Sequence, residues 1–461
     1  MALDCVIRGG QITTADAAFS ADLGISDGKI VVIETHIEAV ADREIDARGL
    51  QVLPGAIDVH THFDTGVGGS ATADDYESGS RAAAFGGITT FVNFAFQEHG
   101  HTFRSALERE VEKANGRTYI DYGLHLVITD LGEPASLDEL PGLVQDGFSS
   151  IKLFTAVGEF QLSDADLLRV MDAAAKQHIL VNVHAEDGAL VDHLSRQLLA
   201  QNKRGVENLP AARPPEAEAL ATARVAGYGS VLGCPVYFVH LSCRKALDAV
   251  RAARSDGAEI YVETRPAYLF MDESRYTLPE REGNKFVCWP PLRSEDDQRA
   301  LWDALLSGEI QTYATDHTTW MAAQKMDPQR TFADIPGGVS NVQTSIGMLY
   351  AEGVQKGRIT LNQMVAVTAT NPAKLFGLWP TKGTVAVGSD ADIVLMDPEH
   401  RVTIASINME SKSDFDPYEG YTAKGWPVMT ISRGEVIVER GRFSAQVGRG
   451  RLVRRQPYHR L

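Results

Sequence analysis

Cysteine is scarce in this chain: 461 residues hold four, Cys5, Cys234, Cys243 and Cys288. None stands in a C-x-x-C pair, which excludes a zinc knuckle and a thioredoxin-like motif. Scattered thiols in a chain of this length point to a reducing compartment and away from a disulfide scaffold. Long apolar runs are missing as well. No segment reaches bilayer-spanning length, and residues 1–10 lack the basic-then-apolar pattern of a signal peptide. A cytoplasmic protein without a membrane partner is the expectation. Basic residues are in the minority, 44 Lys and Arg against 61 Asp and Glu, for a formal net charge of −17. That balance argues against a nucleic-acid partner, which would draw a basic face.

What remains is an ordinary globular composition, 44% hydrophobic and 23% charged. The length suits one barrel-sized domain with a smaller companion. Residues 5–12 and 23–33 alternate in short strand-like pieces, and Asp27-Gly28 between β-branched runs is a hairpin signal. The same texture returns in residues 388–397 and 428–438. Strand-rich ends predict one small β domain assembled from residues 1–54 and 379–461. Residues 55–378 alternate strands with helices. Thr72-Ala73-Asp74-Asp75 offers caps for a helix through Phe85 that Gly86-Gly87 closes, and residues 89–94 read as a strand. Ser163 opens a helix towards Lys176, and residues 179–184 form the next strand. Repeated β-then-α units imply parallel strands, and this many predict an α/β fold of the (β/α)8 barrel type. The arginine-rich residues 449–461 are expected to pack outside the core or against another subunit.

His60-Thr61-His62 ends the apolar run of residues 52–59. Residues two apart in an extended chain face the same way, so both imidazoles can reach one metal ion from a single strand end. Further apolar runs, which read as successive strands, finish in Lys152, His184, His240 and Asp316. Each alone has a plainer reading: a snorkelling stem for Lys152, hydrogen-bonded core histidines, a helix cap for Asp316. Together, at the strand ends where barrel enzymes keep their catalytic groups, they point to a metal-dependent hydrolase. Imidazole and carboxylate donors without a thiolate suit zinc, with manganese, iron or cobalt as substitutes. Burying an ammonium is costly. A desolvated Lys152 that reacts with carbon dioxide becomes an anionic carbamate whose two oxygens can bridge two divalent cations. Such a pair would make a bridging hydroxide available near neutral pH. Asp316 would hold one cation, accept the water's proton and pass it to the departing nitrogen. The implied chemistry is amide hydrolysis.

These residues resemble the amidohydrolase superfamily and, within it, the hydantoinase/dihydropyrimidinase family. Gly55-Ala56-Ile57-Asp58-Val59-His60-Thr61-His62 is similar to the family's first metal-binding strand. Arg213-Pro214-Pro215-Glu216-Ala217-Glu218-Ala219, Trp289-Pro290-Pro291-Leu292-Arg293 and Asn371-Pro372-Ala373-Lys374-Leu375-Phe376-Gly377 are further family-like strings. The resemblance implies a TIM barrel, a β-sandwich-like domain from both termini, and an N6-carboxylysine at Lys152 between two zinc ions. It also implies a homo-oligomer, a tetramer or a dimer. By the family pattern His60, His62 and Asp316 serve one ion, and His184 and His240 the other. The substrate it implies is a small cyclic amide: a hydantoin, a dihydropyrimidine or a related imide.

Three departures bear on the substrate. The family's tyrosine after the bridging lysine corresponds to Val157, its serine before Pro-Pro-Leu-Arg to Trp289, and the asparagine of its Ile-Pro-Asn-Gly pattern to Gly337. Main-chain groups at the last two positions engage the cyclic amide in the family. The tyrosine hydroxyl has no such substitute, and loss of an oxyanion donor costs about a hundred- to thousandfold in rate. An allantoinase- or dihydroorotase-like activity is therefore the alternative. A non-catalytic scaffold is a third reading, set against the full set of ligand candidates.

Overall fold

The computed structural model describes residues 3–67 and 70–461. Met1 and Ala2, at the head of the expected small-domain segment, lie outside the described residues. Five strands open the chain: β1 (Leu3–Thr13), β2 (Ala18–Ser26), β3 (Lys29–Glu34), β4 (Ala41–Asp46) and β5 (Gln51–Pro54). Asp27 and Gly28 turn β2 into β3 with φ of 51° and 73°, the positive values a two-residue hairpin demands.

Eight of the strands that follow build the barrel. β6 (Ala56–Thr61) precedes a short pair, β7 (Gly66–Val67) and β8 (Ser70–Ala71). Then come β9 (Ile88–Phe96), β10 (Asp121–Val127), β11 (Ser150–Phe154), β12 (Leu180–His184), β13 (Val236–Phe238), β14 (Ile260–Thr264) and β15 (Thr312–Tyr313). The sheet runs β15-β14-β13-β12-β11-β10-β9-β6, parallel at each pairing. Its ends meet through a parallel bridge between Thr61 and His317. Asp58 staples the same seam, accepting from Thr315 N at 3.1 Å and Thr315 Oγ1 at 2.5 Å. The expected barrel is present.

Helices cover it as the sequence caps foretell. Asp75 caps the helix Tyr76–Phe85, its side chain accepting from Ser78 N. Ser163 does the same for Asp164–Lys176, whose buried Leu167, Val170, Met171 and Ala174 recur at helical spacing and form one face.

The chain returns to the first sheet with β16 (Ile393–Thr403), β17 (Thr422–Ser432), β18 (Glu435–Glu439) and β19 (Arg442–Phe443). The order β19-β18-β17-β16-β5-β1-β2-β3, with β4 on β1, joins both ends of the chain in one sheet. The seam is antiparallel, Val52 opposite Leu395. Ile7, Leu23, Ile25, Val52, Ile393 and Ile431 fill its core.

The arginine-rich tail does not stay outside. Leu452 bridges Tyr122, and Val453 and Tyr458 pack on Ile57, Val92, Leu180 and Tyr237 at the barrel base. Arg455, 1% exposed, donates to Ser150 Oγ at 2.8 Å. The charges of this segment hid its interleaved apolar side chains, whose burial offsets drawing one guanidinium inside. Among the described residues no helix is long and apolar enough to cross a membrane.

Candidate metal centre

His60, His62, His184, His240 and Asp316 stand at or just past the carboxyl ends of barrel strands, while Lys152 lies midway along β11, and the strands are not successive. β9 and β10 separate the His60 strand from β11 with Lys152, and β14 separates the strand before His240 from the one before Asp316. Closure of the barrel brings the chain-distant pair together. His60 Nε2 and His62 Nε2 lie 3.1 and 3.2 Å from Asp316 Oδ1, a trio able to hold one cation. His184 Nδ1 lies 3.1 Å from His240 Nε2. Burial pushes the pKa of both rings below the usual histidine range, and that of His62 down to about 4. Burial lowers the His60 ring too, but the carboxylates of Glu263 and Asp316 more than reverse this and raise its pKa, so the neutral lone pairs a metal ion takes are offered by His62, His184 and His240.

Lys152 is 1% exposed. Its Nζ stands 5.3 and 5.1 Å from the ring centroids of Phe94 and Phe154. Among the described residues it has no hydrogen-bond or ion-pair partner. Burial lowers its pKa to about 7, against the pull of Glu263 and Asp316. A free amine at neutral pH is thus within reach.

Sequence reasoning missed the groups that orient the ligands. Glu263 Oε1 accepts from His60 Nδ1 at 2.7 Å and from the His240 backbone N–H at 2.8 Å. Glu186 Oε2 accepts from His184 Nε2 at 2.8 Å and pairs with Arg213. Occupying one ring nitrogen leaves the other as the metal-facing lone pair. The signals were present: a glutamate inside the apolar strand at residues 260–264, and another two residues after His184. Arg265, fully buried and paired with Asp316 Oδ2, was missed too. His240 and Asp316 have φ of 39° and 50°, left-handed values that cost non-glycine residues about 1–3 kcal/mol and gather at functional sites.

Every residue singled out from the sequence lines one cavity of about 90 Å³: the six candidate ligands with Val157, Trp289 and Gly337. Val157 has φ of 76° and packs on Phe94, Val127 and Phe154. Residues 51–437 match the amidohydrolase family. The chain belongs to that family. This amidohydrolase is 40% identical over 459 residues to the D-hydantoinase of Geobacillus stearothermophilus, across 99% of this chain and 97% of that one. It is 41% identical over 458 residues to the D-hydantoinase of Rhizobium radiobacter, across 99% and 100%. The crystal structure of dihydropyrimidinase from Brevibacillus agri matches with a TM-score of 0.97 at 39% identity, covering 99% of both chains.

Proposed function

We propose that this amidohydrolase opens the ring of a small cyclic ureide or imide, a hydantoin or dihydropyrimidine, to an N-carbamoyl amino acid or similar acid. One observation carries the reading: the six donors converge on one small cavity in a chain similar from end to end to D-hydantoinases.

The donor set fits two divalent cations, with zinc preferred for its imidazole and carboxylate ligands. His60, His62 and Asp316 would hold one, His184 and His240 the other, and a carboxylated Lys152 both. The buried Lys152 amine, without a hydrogen-bond or ion-pair partner among the described residues and with its pKa lowered to about 7, supports that modification. When bound, the cations supply Lewis acidity, lowering the pKa of water and polarising the ring carbonyl.

The chain's own groups handle the proton and the substrate. Asp316 accepts the proton of the attacking water and returns it to the ring nitrogen as the C–N bond breaks. Burial would raise the Asp316 pKa, but the Arg265 guanidinium and His60 more than reverse this and hold it well below the usual range. It is therefore ionised, as a proton acceptor must be. Phe96, Phe154 and Phe160 line the cavity with Trp289 and limit water around a flat ring. By the family resemblance, main-chain groups at Trp289 and Gly337 would engage the cyclic amide.

The test is a panel of hydantoins, dihydropyrimidines and imides offered to metal-replete protein, with metal counted per chain. Turnover of one class is expected, and no turnover of any would end the reading. Val157 carries no hydroxyl, which favours an allantoinase- or dihydroorotase-like preference as the second reading. Faster turnover of allantoin or dihydroorotate than of dihydrouracil would decide for it. A homotetramer or dimer in the cytoplasm accompanies the family reading, and the four buried, unpaired cysteines support a reducing compartment.

A further inference from the structure

Two fully buried arginines near this centre are satisfied very differently. Arg293 donates from Nε to Ser242 Oγ at 2.9 Å, from Nη1 to Arg213 O, and from Nη2 to Glu218 at 3.2 Å. Arg265 donates from Nη1 to Asp316 Oδ2, while its Nε and Nη2 are buried without partners. Buried donors left unpaired are rare and call for an explanation.

Two neighbours hold Arg265 in place. Its guanidinium lies over Tyr268, 4.5 Å from the ring centroid, and Tyr268 is itself anchored by donating to Pro290 O at 2.6 Å. Asp316 sits on left-handed backbone, φ 50°, with Oδ1 towards His60 and His62 and Oδ2 on Arg265. The two carboxylate oxygens are thereby given different neighbours.

We infer that Arg265 is a positioning residue for the reaction, holding Asp316 by Oδ2 so that the carboxylate keeps one orientation with Oδ1 on the side of His60 and His62. The inference rests on Asp316 as proton acceptor. Without the guanidinium the carboxylate plane can turn about the Cβ–Cγ bond and take Oδ1 away from the histidine side. Binding of the ring amide does not depend on that orientation, but proton transfer does.

The test compares Arg265→Ala and Arg265→Lys with wild type, each loaded with zinc or cobalt. Expected for Arg265→Ala is a loss in kcat of about ten- to hundredfold, the scale of a small misplacement, with KM changed less than about threefold. Metal per chain should stay near wild type, while Tm falls because a buried side chain and one half of an ion pair are removed, so kcat is compared per folded chain. Arg265→Lys, which keeps one charged donor, should recover part of kcat. The visible spectrum of the cobalt form should change in Arg265→Ala and return towards wild type in Arg265→Lys. Wild-type kcat and spectrum in Arg265→Ala, or a loss proportional to missing metal or lost fold, would overturn the positioning role. Should wild type hydrolyse no cyclic amide, the proposed function falls, and the cobalt spectra still judge the placement of Asp316.

Discussion

The indole of Trp289 occupies the space a side chain at Gly337 would need: a β-carbon there would come within 3.0 Å of the ring. These are two of the three positions where the sequence departs from the hydantoinase pattern, so the departures are one coupled change. Trp289 fills what an asparagine at residue 337 would claim. Gly337→Asn alone should therefore overpack the wall, a change that costs about 1–3 kcal/mol, and raise KM. In a Trp289→Ser background the same substitution should be nearly harmless, with a coupling of about 0.5–3 kcal/mol between the two sites. Additive effects in the double-mutant cycle would contradict the coupling.

Lys152→Ala removes the one group proposed to bridge both cations. Turnover should be almost abolished and metal content should fall below that of wild type. Native mass spectrometry of wild type should show a carbon dioxide adduct that acid removes. A fully active, fully metallated alanine variant would refute the assigned role.

Asp316→Asn keeps a carbonyl oxygen beside His60 and His62 but cannot take a proton. Much of the metal should remain while kcat falls by about a hundred- to ten-thousandfold, the range general-base loss produces. Near-normal kcat would move the proton acceptor elsewhere.

Glu263 steadies His60 and the His240 backbone at once. Glu263→Gln retains the shape but weakens the acceptor, and losing such a partner costs about ten- to hundredfold in metal affinity. Equilibrium dialysis against a chelator reads this directly. Unchanged affinity would reduce Glu263 to a packing role.

Asp416 gives a pH dependence independent of the metal site. Burial pushes its pKa up to about 7, and it accepts from Tyr418 N at 2.9 Å. An acid whose pKa rises on folding holds its proton more tightly in the native chain. The resulting stability is present at low pH and fades as pH climbs from the unfolded value to about 7. Asp416→Asn cannot ionise, so its stability margin over wild type should widen between about pH 5 and pH 7 and then level off. Denaturation midpoints across that interval check it, and a constant margin would contradict the shift.

The Asp27-Gly28 hairpin, the Asp75 and Ser163 caps and the alternating β/α pattern were legible because neighbouring residues decide them. Steric freedom at φ, a side chain reaching the next turn, and a face that repeats every few residues all act within a few positions. For the same reason His60-Thr61-His62 advertised a two-ligand strand end, and separate apolar runs marked where the other candidate donors would stand. Local signals did not say that the strands bearing those donors are interrupted by β9, β10 and β14, or that Asp316 meets His60 across the barrel seam. Nor did they show Glu263, Glu186 and Arg265 behind the donors, or Arg455 of the tail drawn inside to Ser150. Chain closure decided those. Contacts between residues hundreds of positions apart follow from which surfaces can be buried together, and only the folded barrel brings those surfaces into contact.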